Sequence, residues 1–148
     1  MEEETEFLLR RASQEARRAI ACEHPDAADA HEETLMHSLA ALAPDGARYR
    51  LDACKLPHHG SRRNVSKAFV EALECDQWWF STSGRRFHHP NDEAIARVVR
   101  FGGPHPTLVG NYRSERWAAF TEAFPPGDHG YELVLPAEGR EGITISFH

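Results

Sequence analysis

The chain has 148 residues and a net charge of −6, enough for one domain with a real core and too few for two. Acidic and basic residues are mixed along it, which argues against non-specific nucleic-acid binding driven by bulk charge. No apolar run approaches the ~20 residues of a membrane helix, and the acidic opening Met1-Glu2-Glu3-Glu4 does not read as a signal peptide. Three cysteines, Cys22, Cys54 and Cys75, lack CxxC spacing. They read as reduced, partly buried thiols of a cytoplasmic protein.

Residues 3–21 predict a helix with Phe7, Leu8, Ala12, Ala16 and Ile20 close to one face and arginines over the rest. It is either a docking helix or the solvated start of the chain. Pro25 keeps residues 22–30 a loop. His31 to Leu42 predicts a second helix with Leu35, Met36, Leu39 and Leu42 inward. Asp29 stands just ahead of it, where an aspartate commonly serves as N-cap. His31 and His37 are six apart, on different helix faces, so this segment is not an HExxH site.

A turn at 43–46 leads to a strand over 49–56 and then to Pro57-His58-His59-Gly60-Ser61-Arg62. A strand that ends in two histidines, a glycine and a small hydroxyl residue puts imidazoles at the carboxyl edge of a sheet. Ligands and metals collect at that edge in open α/β folds, and neutral imidazole is the commonest metal ligand near neutral pH. The plain alternative is a pair of solvated loop side chains. Ser66 to Leu73 predicts a helix capped by Asn64 or Ser66, and residues 77–81 a buried aromatic strand. A strand–helix–strand unit with parallel strands brings His59 and the Ser81–Gly84 loop to one edge.

Phe87-His88-His89-Pro90-Asn91 precedes a helix from Asp92 to Arg100, with Ile95, Val98 and Val99 inward and Asn91 as cap. His89 either reaches the mouth of the site, to hold a phosphate or shuttle a proton, or packs over the capped turn. Arg62-Arg63 and Arg85-Arg86 form local basic spots. Thr107 to Val109 is a short strand, and Trp117, Phe120 and Phe124 mark an amphipathic segment. Tyr131–Leu135 and Gly142–Phe147 alternate and predict a hairpin.

Leu56-Pro57-His58-His59-Gly60-Ser61-Arg62 before a helix resembles the late metal-ligand motif of metallo-β-lactamase-fold hydrolases, the ComEC-type DNA-uptake proteins above all. Ser81-Thr82-Ser83-Gly84, Phe87-His88-His89-Pro90 and Asn111-Tyr112-Arg113-Ser114 also match that group, and Asp29-Ala30-His31 resembles its Gly-Asp-Ala-His. The likeness runs from residue 29 to the end and spans only the second half of the family's domain. It implies an α/β fold, the C-terminal half of an αββα sandwich, with residues 1–28 as an unmatched N-terminal helix and loop. It also implies a site of two ions, zinc or manganese. His59, with His58 as runner-up, is the last histidine ligand; Asp29 is the bridging carboxylate; Ser61, His88 and His89 are substrate or outer contacts. The family's early HxHxDH motif is absent, and a catalytic zinc takes at least three protein ligands. Two expectations follow. Either a partner chain, a second copy or missing sequence completes a hydrolase, with nucleic acid among the candidate substrates, or the chain is a non-catalytic interaction module that holds no ion.

Overall fold

A computed structural model describes residues 34, 36–38, 41, 42, 46–85 and 88–146. Asp29, Cys22 and the helix expected over 3–21 lie outside the described residues. Within the helix expected over 31–42, every described residue is helical, and Met36 packs against the core.

The elements run β1 (Tyr49–Lys55), α1 (Lys67–Glu71), β2 (Leu73–Phe80), α2 (Asp92–Phe101), β3 (Thr107–Gly110), α3 (Glu115–Ala123), a single turn α4 (Pro126–His129) and β4 (Glu132–Val134). The four strands form one sheet in the order β1-β2-β3-β4, and every pairing is parallel. The register sets Cys54 beside Trp78, and Trp78 beside Leu108. Parallel neighbours need a long crossover between them. Here helices make those crossovers, so the chain is a mixed α/β fold with a parallel sheet flanked by helices.

Ser66 starts α1 by accepting a hydrogen bond from the Phe69 N–H at 3.0 Å, the N-cap arrangement. The helix is shorter than its pattern predicts. Leu73, expected on its inner face, instead opens β2 and pairs with Tyr49. The reason is tertiary: Leu73 is 1% exposed, and Arg50 of β1 reaches across to Asp76 at 2.7 Å and Glu74 at 3.6 Å. Strand pairing and burial outweigh a few tenths of a kcal/mol of local helix preference.

The core gathers Leu56, Val65, Phe69, Val70, Trp78, Phe80, Ile95, Val98, Leu108, Trp117 and Phe120. Trp78 is fully buried and its indole N–H donates to the Gly102 carbonyl at 3.2 Å, which ties β2 to the end of α2. Phe80 meets Trp117 edge-on at 5.1 Å, a favoured aromatic geometry.

Two expectations fail. Phe124 is 45% exposed, because α3 ends at Ala123 and leaves it beyond the inward stripe. The hairpin is also absent among the described residues. Glu132–Val134 pairs parallel to β3, and residues 141–146 form no strand. The segment is tied instead to the loop after β3, with the Gly142 N–H donating to the Asn111 carbonyl at 2.8 Å. Alternation alone does not say which partner a strand will find.

Cys54 and Cys75 are free and buried. Burial pushes the Cys54 thiol far up and the Cys75 thiol up to about 11. Thiolate is the reactive form. In a Cys22→Ser background, a thiol reagent at pH 8 is expected to label neither cysteine in native protein and both in denaturant. Rapid native labelling would contradict the burial.

Candidate functional site

The edge where β1 and β2 end is built by two loops fastened together. Leu56, fully buried, donates its N–H to the Trp79 carbonyl at 2.9 Å and carries the chain into a single 3-10 turn, Pro57–His59. His58, His59 and Gly60 follow one another with φ of 44°, 58° and 84°. Left-handed backbone is costly for side chains with a Cβ, and it persists only where the surroundings impose it.

Those surroundings are specific. The Gly60 carbonyl accepts from the Asn91 N–H at 3.0 Å, and the Arg62 N–H donates to Asn91 Oδ1 at 2.9 Å. Arg97 of α2 donates to the Arg62 and Val65 carbonyls. Asn91 was expected to cap α2 with its side chain; instead its amide oxygen serves the histidine loop, and α2 begins without a side-chain cap. Asp92 and Glu93 still occupy its first turn, where negative charge suits the dipole.

The two imidazoles are each anchored through Nδ1. His58 Nδ1 lies 3.1 Å from Asn64 Oδ1, and His59 Nδ1 lies 2.5 Å from the Ser81 carbonyl oxygen. The Ser81 carbonyl oxygen only accepts, so His59 donates to it from Nδ1. Anchoring of this kind is the usual support of a metal-bound histidine. The rings of His58 and His59 are 6.4 Å apart, and those of His58 and His89 are 5.4 Å apart.

His89 is half-buried. Desolvation first, then the neighbouring His58 and His59, pull its pKa from 6.5 down to about 4. A histidine with a depressed folded-state pKa binds more protons when unfolded between those two values. Stability is therefore full above pH 6.5 and falls as pH drops toward 4. For a ring so exposed the loss is on the order of 1 kcal/mol. Urea unfolding of metal-free protein at pH 7 and pH 4.5 should show that loss, and His89→Asn should flatten it.

The other expected residues fall in different places. Ser61 is 5% exposed and its hydroxyl accepts from the Arg63 N–H at 3.3 Å, so it shapes the loop. His88 is exposed. Arg62 pairs with Glu93 at 3.2 Å, which neutralises half of one basic spot; Arg86 lies outside the described residues. Among the described residues no group of three or more His, Cys, Asp or Glu side chains is arranged to hold a metal. An open cavity of about 150 Å³ lies at the same edge, lined by Lys55, Trp79, Ser81, Val109 and Asn111 among others. Ser81 joins it to His59.

Sequence reasoning missed Asn64 as the partner of His58, and Asn91 as the link between loops. Asn64 is 1% exposed. Its placement before a serine-capped helix suggested a cap, and no local signal separates that use from a reach back to a histidine. No family model, curated protein or solved structure matches the chain. Among the described residues no helix is long and apolar enough to cross a membrane.

Proposed function

We propose that the chain is the C-terminal half of a metallo-β-lactamase-type sandwich whose inherited activity is metal-dependent hydrolysis of a phosphodiester or ester. The observation that carries this reading is the pair of neighbouring imidazoles with both Nδ1 atoms tied to oxygen, on a loop held in costly left-handed backbone.

Two anchored imidazoles fit part of a site for zinc or manganese. They do not fill it, since a catalytic zinc takes about three protein ligands. The remaining donors would come from Asp29, from other residues outside the described ones, or from a second polypeptide. A bound divalent ion supplies activated water. This chain's part is to present His59 and His58, to orient them through Ser81 and Asn64, and to offer the adjoining cavity to substrate. The free thiols Cys54 and Cys75 suit a cytoplasmic setting.

A second reading, a non-catalytic interaction module, draws on the missing third donor among the described residues and on the exposed Phe124 and Ile143. Elemental analysis and hydrolysis of bis-(p-nitrophenyl) phosphate separate the two. The hydrolase reading expects stoichiometric zinc or manganese and measurable turnover, both lost in His59→Ala. Metal-free, inactive protein, with or without an added second copy, would leave the interaction module standing.

A further inference from the structure

The cavity at the carboxyl edge is built from neighbouring strand ends. Register sets Lys55 beside Trp79, and Trp79 beside Val109. These three lie one position on from the row of Cys54, Trp78 and Leu108, so they occupy the opposite face of the sheet. Ser81 and Asn111, two positions beyond Trp79 and Val109, line the same cavity of about 150 Å³. Ile143 and Ile145 of the tail add to its wall, and the tail is fastened there by the Gly142 N–H on the Asn111 carbonyl.

Most of that wall is apolar. The Trp79 indole N–H donates to Gln77 Oε1 at 3.1 Å, which holds the large ring in place. An apolar cavity of this size accepts one benzene ring.

The polar part is small and specific. Among the described residues Lys55 is the only charged group in the lining, and no carboxylate pairs with it. Desolvation lowers its pKa below the usual lysine value, a loss that an anion beside it would offset. Ser81 supplies a second donor. Its hydroxyl oxygen accepts from Asn111 Nδ2 at 3.3 Å, which leaves the hydroxyl proton to donate. One positive charge, one hydroxyl and a ring-sized apolar wall match a carboxylate on a flat ring. A phosphate monoester brings about 1.5–2 negative charges, more than one lysine balances.

We propose that this cavity binds a small carboxylate carrying one planar ring, its charge on Lys55 and Ser81 and its ring against Trp79, Val109 and Ile145. The proposal rests on the hydrolase reading only for the ligand's role as substrate or product; where the ligand binds rests on the cavity itself.

The test is a titration of metal-stripped wild-type protein with sodium benzoate, followed by the assigned indole N–H resonance of Trp79. The resonance should move and saturate with a Kd of about 1 mM, ordinary for so small a ligand. Benzamide, the same ring without the charge, should bind about tenfold more weakly, and phenyl phosphate should also bind more weakly than benzoate. Lys55→Met should weaken benzoate about fivefold and leave benzamide unchanged, whereas Lys55→Arg should keep the preference for benzoate. Lys55 is exposed, so neither variant threatens the fold. Absence of a saturable shift up to about 20 mM benzoate, equal affinity for benzoate and benzamide, or tighter binding of phenyl phosphate overturns the proposal. No readout involves turnover. Benzoate binding by an inactive protein keeps the site and sinks the hydrolase reading, and turnover without benzoate binding does the reverse.

Discussion

Gly60→Ala is expected to destabilise the fold by about 2–5 kcal/mol, the sum of a left-handed penalty and overpacking. A Cβ at this position would meet Phe80 Cδ1 at 2.9 Å and Pro90 Cβ at 3.0 Å, on backbone with φ of 84°. Neither neighbour can yield easily. Phe80 is 1% exposed against Trp117, and Pro90 belongs to the loop that Asn91 fastens to Gly60 itself. Gly130→Ala is the control. Its φ of 68° carries the same conformational penalty, with nothing within 4 Å of the added carbon. It should cost about 1–2 kcal/mol. Urea unfolding of both variants isolates the crowding at the histidine loop. Equal losses would mean that Phe80 and Pro90 move aside and that the loop is less constrained than its contacts imply.

Trp78→Ala should cost about 3–5 kcal/mol, the range for truncating a fully buried large aromatic. Trp78 sits in the second strand of four and touches both neighbours through register, Cys54 on one side and Leu108 on the other. Trp78→Phe keeps most of the ring but removes the donor to the Gly102 carbonyl, so it should cost about 1–2 kcal/mol. Thermal melts of the two variants should fall in that order. A Phe variant as damaged as the Ala variant would assign most of the effect to the hydrogen bond rather than to volume.

Much of the framework was legible because the signals were local. Tyr49–Lys55, Asp92–Phe101 and Thr107–Gly110 lie within one or two residues of their expected spans, each marked by its apolar pattern and by a turn or cap at its start. The parallel strand–helix–strand unit followed from the helix lying between two apolar strands. What escaped depended on contacts distant in sequence. Leu73 left the helix because Tyr49 was waiting for it, and Glu132–Val134 joined β3 instead of folding back on the tail. At the site, the histidine pair announced itself by its place after a strand. Asn91 looked like an ordinary helix cap, and only the folded chain reveals that its amide oxygen is spent on Arg62, twenty-nine positions earlier.

Among the described residues the order of the strands in space repeats their order in the chain, one after the next with no strand inserted between earlier ones. Each strand after β1 therefore finds its docking edge already made when it leaves the ribosome, where domains emerge amino end first at about 5–20 residues per second. Only β1 waits for a later neighbour, and from then on each new strand adds to the growing edge. The histidine loop is locked only when Asn91 arrives, after the second strand has been laid down.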